Sequence, residues 1–373
     1  MSILGPIGID RFLQEYWQTK PLVIKNATRR FQYLLSVEEL AGLSLETDVE
    51  SRLVQWHPAT DRWEVDDGPF ITAQFAALPD TNWTLLVQAV DQWVPEVAEV
   101  LEEFSFLPKW RLDDVMISYA TPGGGVGPHF DYYDVFLLQV SGTRRWRIGQ
   151  HCDENSPLRV NQPLKILQNF EQVNQCILRP GDMLYLPAGV AHWGTAEDDG
   201  SLTYSIGFRA PSAAELLVNA AERIAAKMPD DLRYRDVGNL EGRSRIGVSV
   251  DYGIEALFEN LDRSDLIAAA KEAFISQVTE PRYIEATEPL NDEELESILE
   301  DIEQETALVE RSPHSRFAYC QVSDRKADLF VDGLKYRVSF GTAKMICDEE
   351  IEISPRSREI IVQLLKLGAL IVI

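Results

Sequence analysis

The sequence predicts an α+β chain whose centre, from about Asp113 to Arg209, is a β-rich barrel or sandwich. Three observations predict it. Between those two residues, short apolar runs alternate with Gly- and Pro-containing turns, the texture of a doubled or closed sheet. After Pro211 the apolar residues recur at three- and four-residue steps, which is helical spacing. From Asn291 the pattern changes again, to helix, hairpin, helix and strand. We divide the chain accordingly into 1–211, 212–290 and 291–373.

The elements follow in order. Ile9, Phe12, Leu13, Tyr16 and Trp17 lie on one face of an opening amphipathic helix over 9–17, and a second helix starts within 36–41. Strands are expected at Val115–Tyr119, Val135–Val140, Arg144–Ile148, Gln175–Leu178, Met183–Leu186 and Leu202–Phe208. Amphipathic helices at Ala213–Met228 and Leu266–Val278 show no closed core of their own, and a homodimer built through 212–290 is the expected use for them. Asn291 and Glu294 form a capping signature for a helix to about Glu305. Asp332-Gly333 joins Leu329–Val331 to Leu334–Val338 as a hairpin. Ser354-Pro355 is read as the start of a further helix and Ala369–Ile373 as a closing strand, an order that looks like a winged-helix module.

Composition limits the function. The chain has 373 residues, 45% of them hydrophobic, enough for more than one packed core. The segment from Met1 to Gly8 does not read as a signal peptide, and the apolar run near Gly368–Ile373 is far short of a membrane span. Cys152, Cys176, Cys320 and Cys347 form no C-x-x-C pair, so a thiolate metal site or disulfide framework is not expected, and a reducing cytoplasm is. The formal charge of −25 repels nucleic acid and anionic membrane and steers basic partners inward. Residues 291–373 carry 17 acidic and 10 basic residues, so the winged-helix-like module is expected to lack the clustered cations that phosphate needs and is not expected to bind nucleic acid.

The chemistry concentrates in two segments. In Pro122-Gly-Gly-Gly-Val-Gly-Pro-His129-Phe-Asp131, the His and the Asp stand two apart and point to one side of an extended chain. In Arg179-Pro-Gly-Asp-Met-Leu-Tyr-Leu-Pro187-Ala-Gly-Val-Ala-His192, a turn, a short strand and a second turn bring a histidine to the start of the next strand. Two histidines and one carboxylate leave about three positions open on an octahedral ion, which suits a non-haem iron(II) centre. The glycines at 123–127 lack the Gly-Lys-Ser/Thr ending of a phosphate loop, and we expect them to let the backbone pass close to the metal entrance.

Gly127-Pro-His129-Phe-Asp131, Gly142-Thr-Arg144-Arg-Trp146 and Pro180–His192 resemble the JmjC-type oxygenases of the cupin superfamily. Asp113–Ser118, Pro122–Gly127, Tyr133–Phe136 and Tyr204–Pro211 narrow the resemblance to the bacterial ribosomal oxygenases, enzymes that hydroxylate an arginine of the sixteenth protein of the large ribosomal subunit. The detailed resemblance spans roughly residues 10–211. It implies a double-stranded β-helix (a cupin or JmjC jelly roll), Fe(II), 2-oxoglutarate as co-substrate, dioxygen, and a basic ribosomal protein as substrate.

The resemblance also implies roles. Arg144, 13 residues after Asp131, is the candidate for the distal carboxylate of 2-oxoglutarate, because a guanidinium offers a planar fork. Arg145 competes for that role if the register slips by one. To bring Arg144 back, the chain must bend near Tyr132–Asp134 and reverse at Ser141-Gly142. Thr203 and Ser205 are candidates to add hydroxyl contacts to the co-substrate. Asp114 and Tyr133, with Met116 on the aliphatic stem, are candidates to grip a substrate arginine, and Asp113 is the neighbour that could be confused with Asp114. The competing reading is a metal-binding cupin of another class, an isomerase or a sensor. The lone His-x-Asp with Gly-x-Arg argues against it, since many other cupins add histidines and a glutamate.

Overall fold

The computed structural model of the protein describes residues 2–28, 30–31, 34–209, 211–235, 251–252, 254–255, 258–259, 262–281, 290–304 and 307–373. They fall in two compact units, Met1–Ala210 and Pro211–Ile373.

The first unit holds eleven strands among its described residues. They are β1 (Leu22–Ile24), β2 (Ser51–His57), β3 (Arg62–Asp67), β4 (Trp83–Val87), β5 (Leu112–Ala120), β6 (Asp134–Ser141), β7 (Arg144–His151), β8 (Asn174–Leu178), β9 (Met183–Leu186), β10 (Val190–Ala196) and β11 (Ser201–Phe208). An eight-stranded sheet runs β1-β9-β6-β11-β5-β4-β2-β3, and a three-stranded sheet runs β10-β7-β8. All pairings are antiparallel. The six expected strands of the core are present, every end within three residues of the expected one. The four strands β1 to β4 were not anticipated, although Arg62-Trp63-Glu64-Val65-Asp66 of β3 alternates polar and apolar residues; in β2 the adjacent apolar Leu53 and Val54 interrupt the alternation.

Strand alternation divides the large sheet into two differently used faces. Val115, Ile117, Phe136, Leu138, Tyr204, Ile206 and Phe208 enter the main core, where α1 (Ile9–Glu15) contributes Phe12 and α4 (Pro95–Glu102) contributes Val97 and Val100. Val135, Leu137, Leu184 and Leu186 point the other way and join Trp146, Ile148, Leu178 and Val190 of the small sheet in a second apolar cluster. The two sheets therefore face one another, which is the double-stranded β-helix expected. The opening helix stops at Glu15, short of Trp17. α2 (Val37–Leu43) is closed by a Ser36–Glu39 capping box, and α3 spans Thr72–Ala76.

The second unit opens with α5 (Ala213–Ala225) and α6 (Arg263–Thr279). Both helices were anticipated, but the amphipathic reading of the second is corrected. Its buried side is Ala269, Ala273, Ser276, Val278 and Thr279, whereas Ile267 is exposed. Small side chains let neighbouring backbones approach closely, so burial here follows size rather than hydropathy. Next come α7 (Asp292–Glu303), β12 (Val309–Arg311), β13 (Phe317–Ser323), β14 (Lys326–Val331), β15 (Leu334–Ser339), α8 (Phe340–Asp348), α9 (Arg358–Lys366) and β16 (Leu370–Val372). The Asn291–Glu294 capping box and the Asp332-Gly333 hairpin are present, while residue 305 lies outside the described residues.

Two expectations for this unit fail. The helix assigned to start at Ser354-Pro355 begins at Arg358, because the Ser354 and Ser357 hydroxyls and backbone groups bond one another and close a separate turn first. The expectation that the module lacks clustered cations is also wrong. Arg325, Lys326, Lys335, Arg337 and Arg356 line a single groove, because the sheet and α9 bring together residues that are 31 positions apart.

Candidate metal centre

Residues 123–131 form no regular strand, yet they run antiparallel beside β10. The Gly123 N–H donates to the Ala196 carbonyl, and the Ala196 N–H donates to that of Gly124. Farther along, His129 and His192 exchange backbone bonds in both directions, at 3.0 and 2.8 Å. The glycines make this approach possible. A Cβ on Gly124 would stand 2.2 Å from the Trp83 carbonyl oxygen, and one on Gly125 would stand 2.2 Å from that of Gly194. The expectation of close backbone passage is met by these two residues.

Pairing of the two histidine backbones brings their rings to 4.2 Å, centroid to centroid. Each ring Nδ1 lies 3.0 Å from a carbonyl oxygen two residues earlier, Gly127 for His129 and Val190 for His192. A carbonyl can only accept, so Nδ1 carries the proton and the lone pair sits on Nε2. Both Nε2 atoms turn toward Asp131, whose Oδ2 lies 3.9 Å from that of His129 and 3.6 Å from that of His192. One ligand atom from each of the three residues falls within 4.8 Å of the other two. Burial, and then the neighbouring His129, push His192 down to about 4, so its imidazole is neutral near pH 7. Two imidazole Nε2 atoms and a carboxylate converging on one point are a donor set for a divalent cation with open positions. Of the five histidines in the chain, these two share one carboxylate, whereas the half-exposed His57 faces Glu64 alone at 3.1 Å.

Behind the ligands, alternation sends the intervening residues the other way. Phe130, between His129 and Asp131, and Ala191, before His192, pack with Cys152, Leu167 and Phe170. These last three belong to the long connection from β7 to β8. Leu167 also donates its N–H to the Pro128 carbonyl at 2.8 Å. Sequence reading left this connection without a role.

On β10 the residues facing the interior after His192 are Gly194 and Ala196, paired with Trp146 and Arg144 of β7. Arg144 is 3% exposed. Its Nη1 donates to Ser118 Oγ at 2.9 Å and Thr203 Oγ1 at 3.2 Å, and its guanidinium lies 5.2 Å from the Trp146 ring centre. Its Nε is buried with no hydrogen-bond partner, and no carboxylate pairs with it among the described residues. Burial pushes the guanidinium down to about 10, which still leaves it charged at neutral pH. Arg145 points outward to Glu197, at 2.6 Å. The register thus brings Arg144, not Arg145, inside. Gly142, at φ +62°, makes the reversal that sets it.

The remaining candidates lie on the same inner surface. Register places Ser118, Thr203 and Gln139 in one row across three strands, and Met116, Ser205 and Leu137 in the next. Thr203 Oγ1 donates to Gln139 Oε1 at 2.9 Å. Ser205 is buried, and Met116 is only half-buried although it sits mid-sheet, as expected of a side chain lining an open interior. Asp114 is buried and accepts the Ala89 N–H at 3.0 Å. The space above Gly207 lies between Asp114 and Tyr133, since a Cβ there would stand 3.6 Å from Asp114 Oδ1 and 4.0 Å from Tyr133 Cε2. Tyr133 is exposed, and Asp113 instead pairs with Arg209 at 2.7 Å. Ser118 and Gln139 were missed. The i, i+2 spacing from Asp114 through Met116 to Ser118 was the available signal for the first. No signal in the sequence marked the second.

Residues 99–216 match the JmjC domain family. The chain is 37% identical over 304 residues to a Haemophilus influenzae protein named "Probable ribosomal oxygenase", covering 78% of this chain and 74% of that one. It is 43% identical over 231 residues to the Escherichia coli ribosomal protein uL16 3-hydroxylase, covering 60% and 59%. Among solved structures, E. coli YcfD aligns with a TM-score of 0.80 at 28% identity over 99% of both chains. The same protein in complex with cobalt and 2-oxoglutarate aligns at 0.76 and 29% identity over 97% of both.

Proposed function

Because the chain belongs to the JmjC ribosomal oxygenase family, we propose that it is an iron(II)- and 2-oxoglutarate-dependent hydroxylase acting on the β-carbon of an arginine in a large-subunit ribosomal protein. The observation that carries the reading is Arg144. A guanidinium buried without an acid, with Nε unpaired, is costly unless an anion completes it. It stands beside Gly194, two residues along β10 from His192, about 6–7 Å at strand rise. A dicarboxylic keto acid fits that pairing of a cation at one end and metal ligands at the other.

In this reading His129, Asp131 and His192 hold iron(II). Arg144 binds the distal carboxylate, and Ser118, Thr203 and Ser205 offer it hydroxyls. When bound, the iron supplies the redox chemistry by which dioxygen and 2-oxoglutarate give succinate, carbon dioxide and one transferred oxygen atom. The chain's own residues provide position and a dry wall. Trp146, Leu137 and Leu184 close the interior to water, while Asp114 and Tyr133 pair with and flank the incoming guanidinium, with Met116 along its stem. The substrate is a basic segment, in keeping with the charge of −25. Among the described residues no helix is long and apolar enough to cross a membrane. We assign the enzyme to the cytoplasm with its ribosomal target.

We further infer a homodimer built through residues 212–290. The support is a concentration of exposed large hydrophobics there: Leu217, Val218, Tyr252, Ile254, Phe258 and Ile267. The function is tested by incubating the protein with arginine-bearing ribosomal-protein peptides, iron(II), ascorbate and 2-oxoglutarate. Mass spectrometry should show one added oxygen on the arginine, with succinate released in step. Succinate release with no peptide oxidised, or oxidation of the lysine-substituted peptide at equal rate, would remove arginine as the target.

A further inference from the structure

Gly207, near the end of β11, stands where neither backbone nor packing calls for a glycine. It lies between β5 and β6, and its neighbours Ile206 and Phe208 are fully buried in the main core. Its φ is not positive, so its backbone suits any residue. A Cβ there would come no nearer than 3.6 Å to any atom beyond its chain neighbours, which is ordinary contact. Alanine would therefore fit and would strengthen the strand, which glycine weakens. The surroundings are a β-bulge. Ile206 pairs with Val115 and Phe208 with Leu112, so Gly207 alone stands opposite both Asp113 and Asp114. Bulges re-aim side chains. Here the Cβ position of Gly207 is 3.6 Å from Asp113 Cβ and 3.6 Å from Asp114 Oδ1. The Asp113 carboxylate turns aside to Arg209, at 2.7 Å, while that of Asp114 stays over the glycine. Tyr133 bounds the other side, its Cε2 4.0 Å from the same point.

Resting on the arginine reading proposed above, we infer that Gly207 is a specificity-determining residue, whose missing side chain holds open the slot for the substrate guanidinium between Asp114 and Tyr133. A guanidinium is planar, and it gains from a carboxylate at its edge and an aromatic ring at its face. The point above Gly207 touches one of each. A methyl group fixed there takes that place permanently. The wall cannot retreat, because Ile206 and Phe208 anchor it in a close-packed core. The glycine thus gives up strand stability for an opening that a long, flat cation can enter. Gly207 lies four residues along β11 from Thr203, about 13 Å at strand rise, so a change there leaves the surroundings of Arg144 as they are.

Fluorescence anisotropy of the full-length protein, supplied with cobalt(II) and 2-oxoglutarate, tests this. Two labelled ribosomal-protein peptides are compared, one with the target arginine and one with alanine in its place. The wild type should bind the arginine peptide more tightly. Gly207→Ala should lose at least about tenfold in affinity for the arginine peptide, the effect of one methyl group in a closed pocket, and keep wild-type affinity for the alanine peptide. Its melting temperature should equal or exceed that of the wild type, with cobalt affinity and the 2-oxoglutarate thermal shift unchanged. Gly207→Ser, which fills the same point, should behave in the same way. Undiminished binding of the arginine peptide by Gly207→Ala, or equal weakening of both peptides, would overturn the inference. So would a melting temperature several degrees lower in Gly207→Ala, which would show that the backbone needs the glycine. A wild type that binds the two peptides alike would sink the arginine reading of the site. A wild type that separates them, matched by Gly207→Ala, would sink the role of Gly207 alone.

Discussion

Arg144 is a side chain whose burial opposes folding and which the proposed co-substrate carboxylate would complete. Its guanidinium has lost water and gained only two hydroxyls and an indole face in return. Arg144→Met should therefore leave the melting temperature of the ligand-free protein unchanged or raise it by a few degrees, since about 1 kcal/mol moves Tm by roughly 2–4 °C in domains of this size. The same variant should lose the thermal shift that 2-oxoglutarate gives the wild type, about 2.7 kcal/mol at a hundredfold excess over Kd. Arg145→Ala, which removes a surface pair with Glu197, should change neither property. The reverse result would reassign the co-substrate cation to Arg145. At the metal, His192→Ala removes one of three convergent donors. Cobalt(II) titration should show loss of the wild-type absorption and at least about a hundredfold weaker binding, with far-UV dichroism unchanged. Wild-type cobalt affinity in that variant would remove His192 from the ligand set.

At the scale of elements, the proposed ligands owe their geometry to the segments behind them. The β7–β8 connection supplies Leu167 and Phe170 to the side of Phe130 and Ala191 that faces away from the metal. Leu167→Ala should cost about 2–5 kcal/mol as a buried cavity and weaken cobalt binding by about tenfold. A variant that melts lower but binds cobalt as wild type would show packing without positioning. Gly125→Ala brings a methyl group against the Gly194 backbone, where neither strand can yield alone. We expect a loss of about 1–3 kcal/mol together with displacement of His129, seen as weakened metal binding. The strands around the ligands were legible because Val135–Val140 and Leu202–Phe208 are apolar runs bounded by turns. The strand β2 was not, because the adjacent buried Leu53 and Val54 interrupt its alternation, whereas β3, at the sheet edge, alternates polar and apolar residues and was legible but unread.

At the scale of the molecule, charge and apolar surface are distributed unevenly. The net charge of −25 should accelerate capture of a basic peptide, so kcat/KM at low peptide concentration should fall as salt rises while kcat stays constant. A rate indifferent to salt would leave recognition to the pocket alone. The exposed hydrophobics of α5 and α6 make a different prediction. L217D/V218D/I267D should convert a dimer to a monomer in light scattering while each protomer keeps its metal site. A wild-type protein already monomeric at micromolar concentration would refute the dimer.

By itself the sequence determined the residue types of the candidate centre and the local elements that carry them. His-x-Asp, the second histidine and the arginine are short-range patterns, and capping boxes, turns and alternation are set by neighbouring residues. Only the tertiary structure decided which residues meet. The backbone pairing of His129 with His192 joins residues 63 apart, the choice of Arg144 over Arg145 depends on the register of β7 against β10, and Ser118 and Gln139 reach the same surface only through β11. The cationic groove likewise exists only once β14, β15 and α9 are packed. The physical reason is common to all four. Side-chain type is written residue by residue, but proximity between distant strands is a property of the closed sheet, and a shift of one residue in register would turn every side chain to the opposite face.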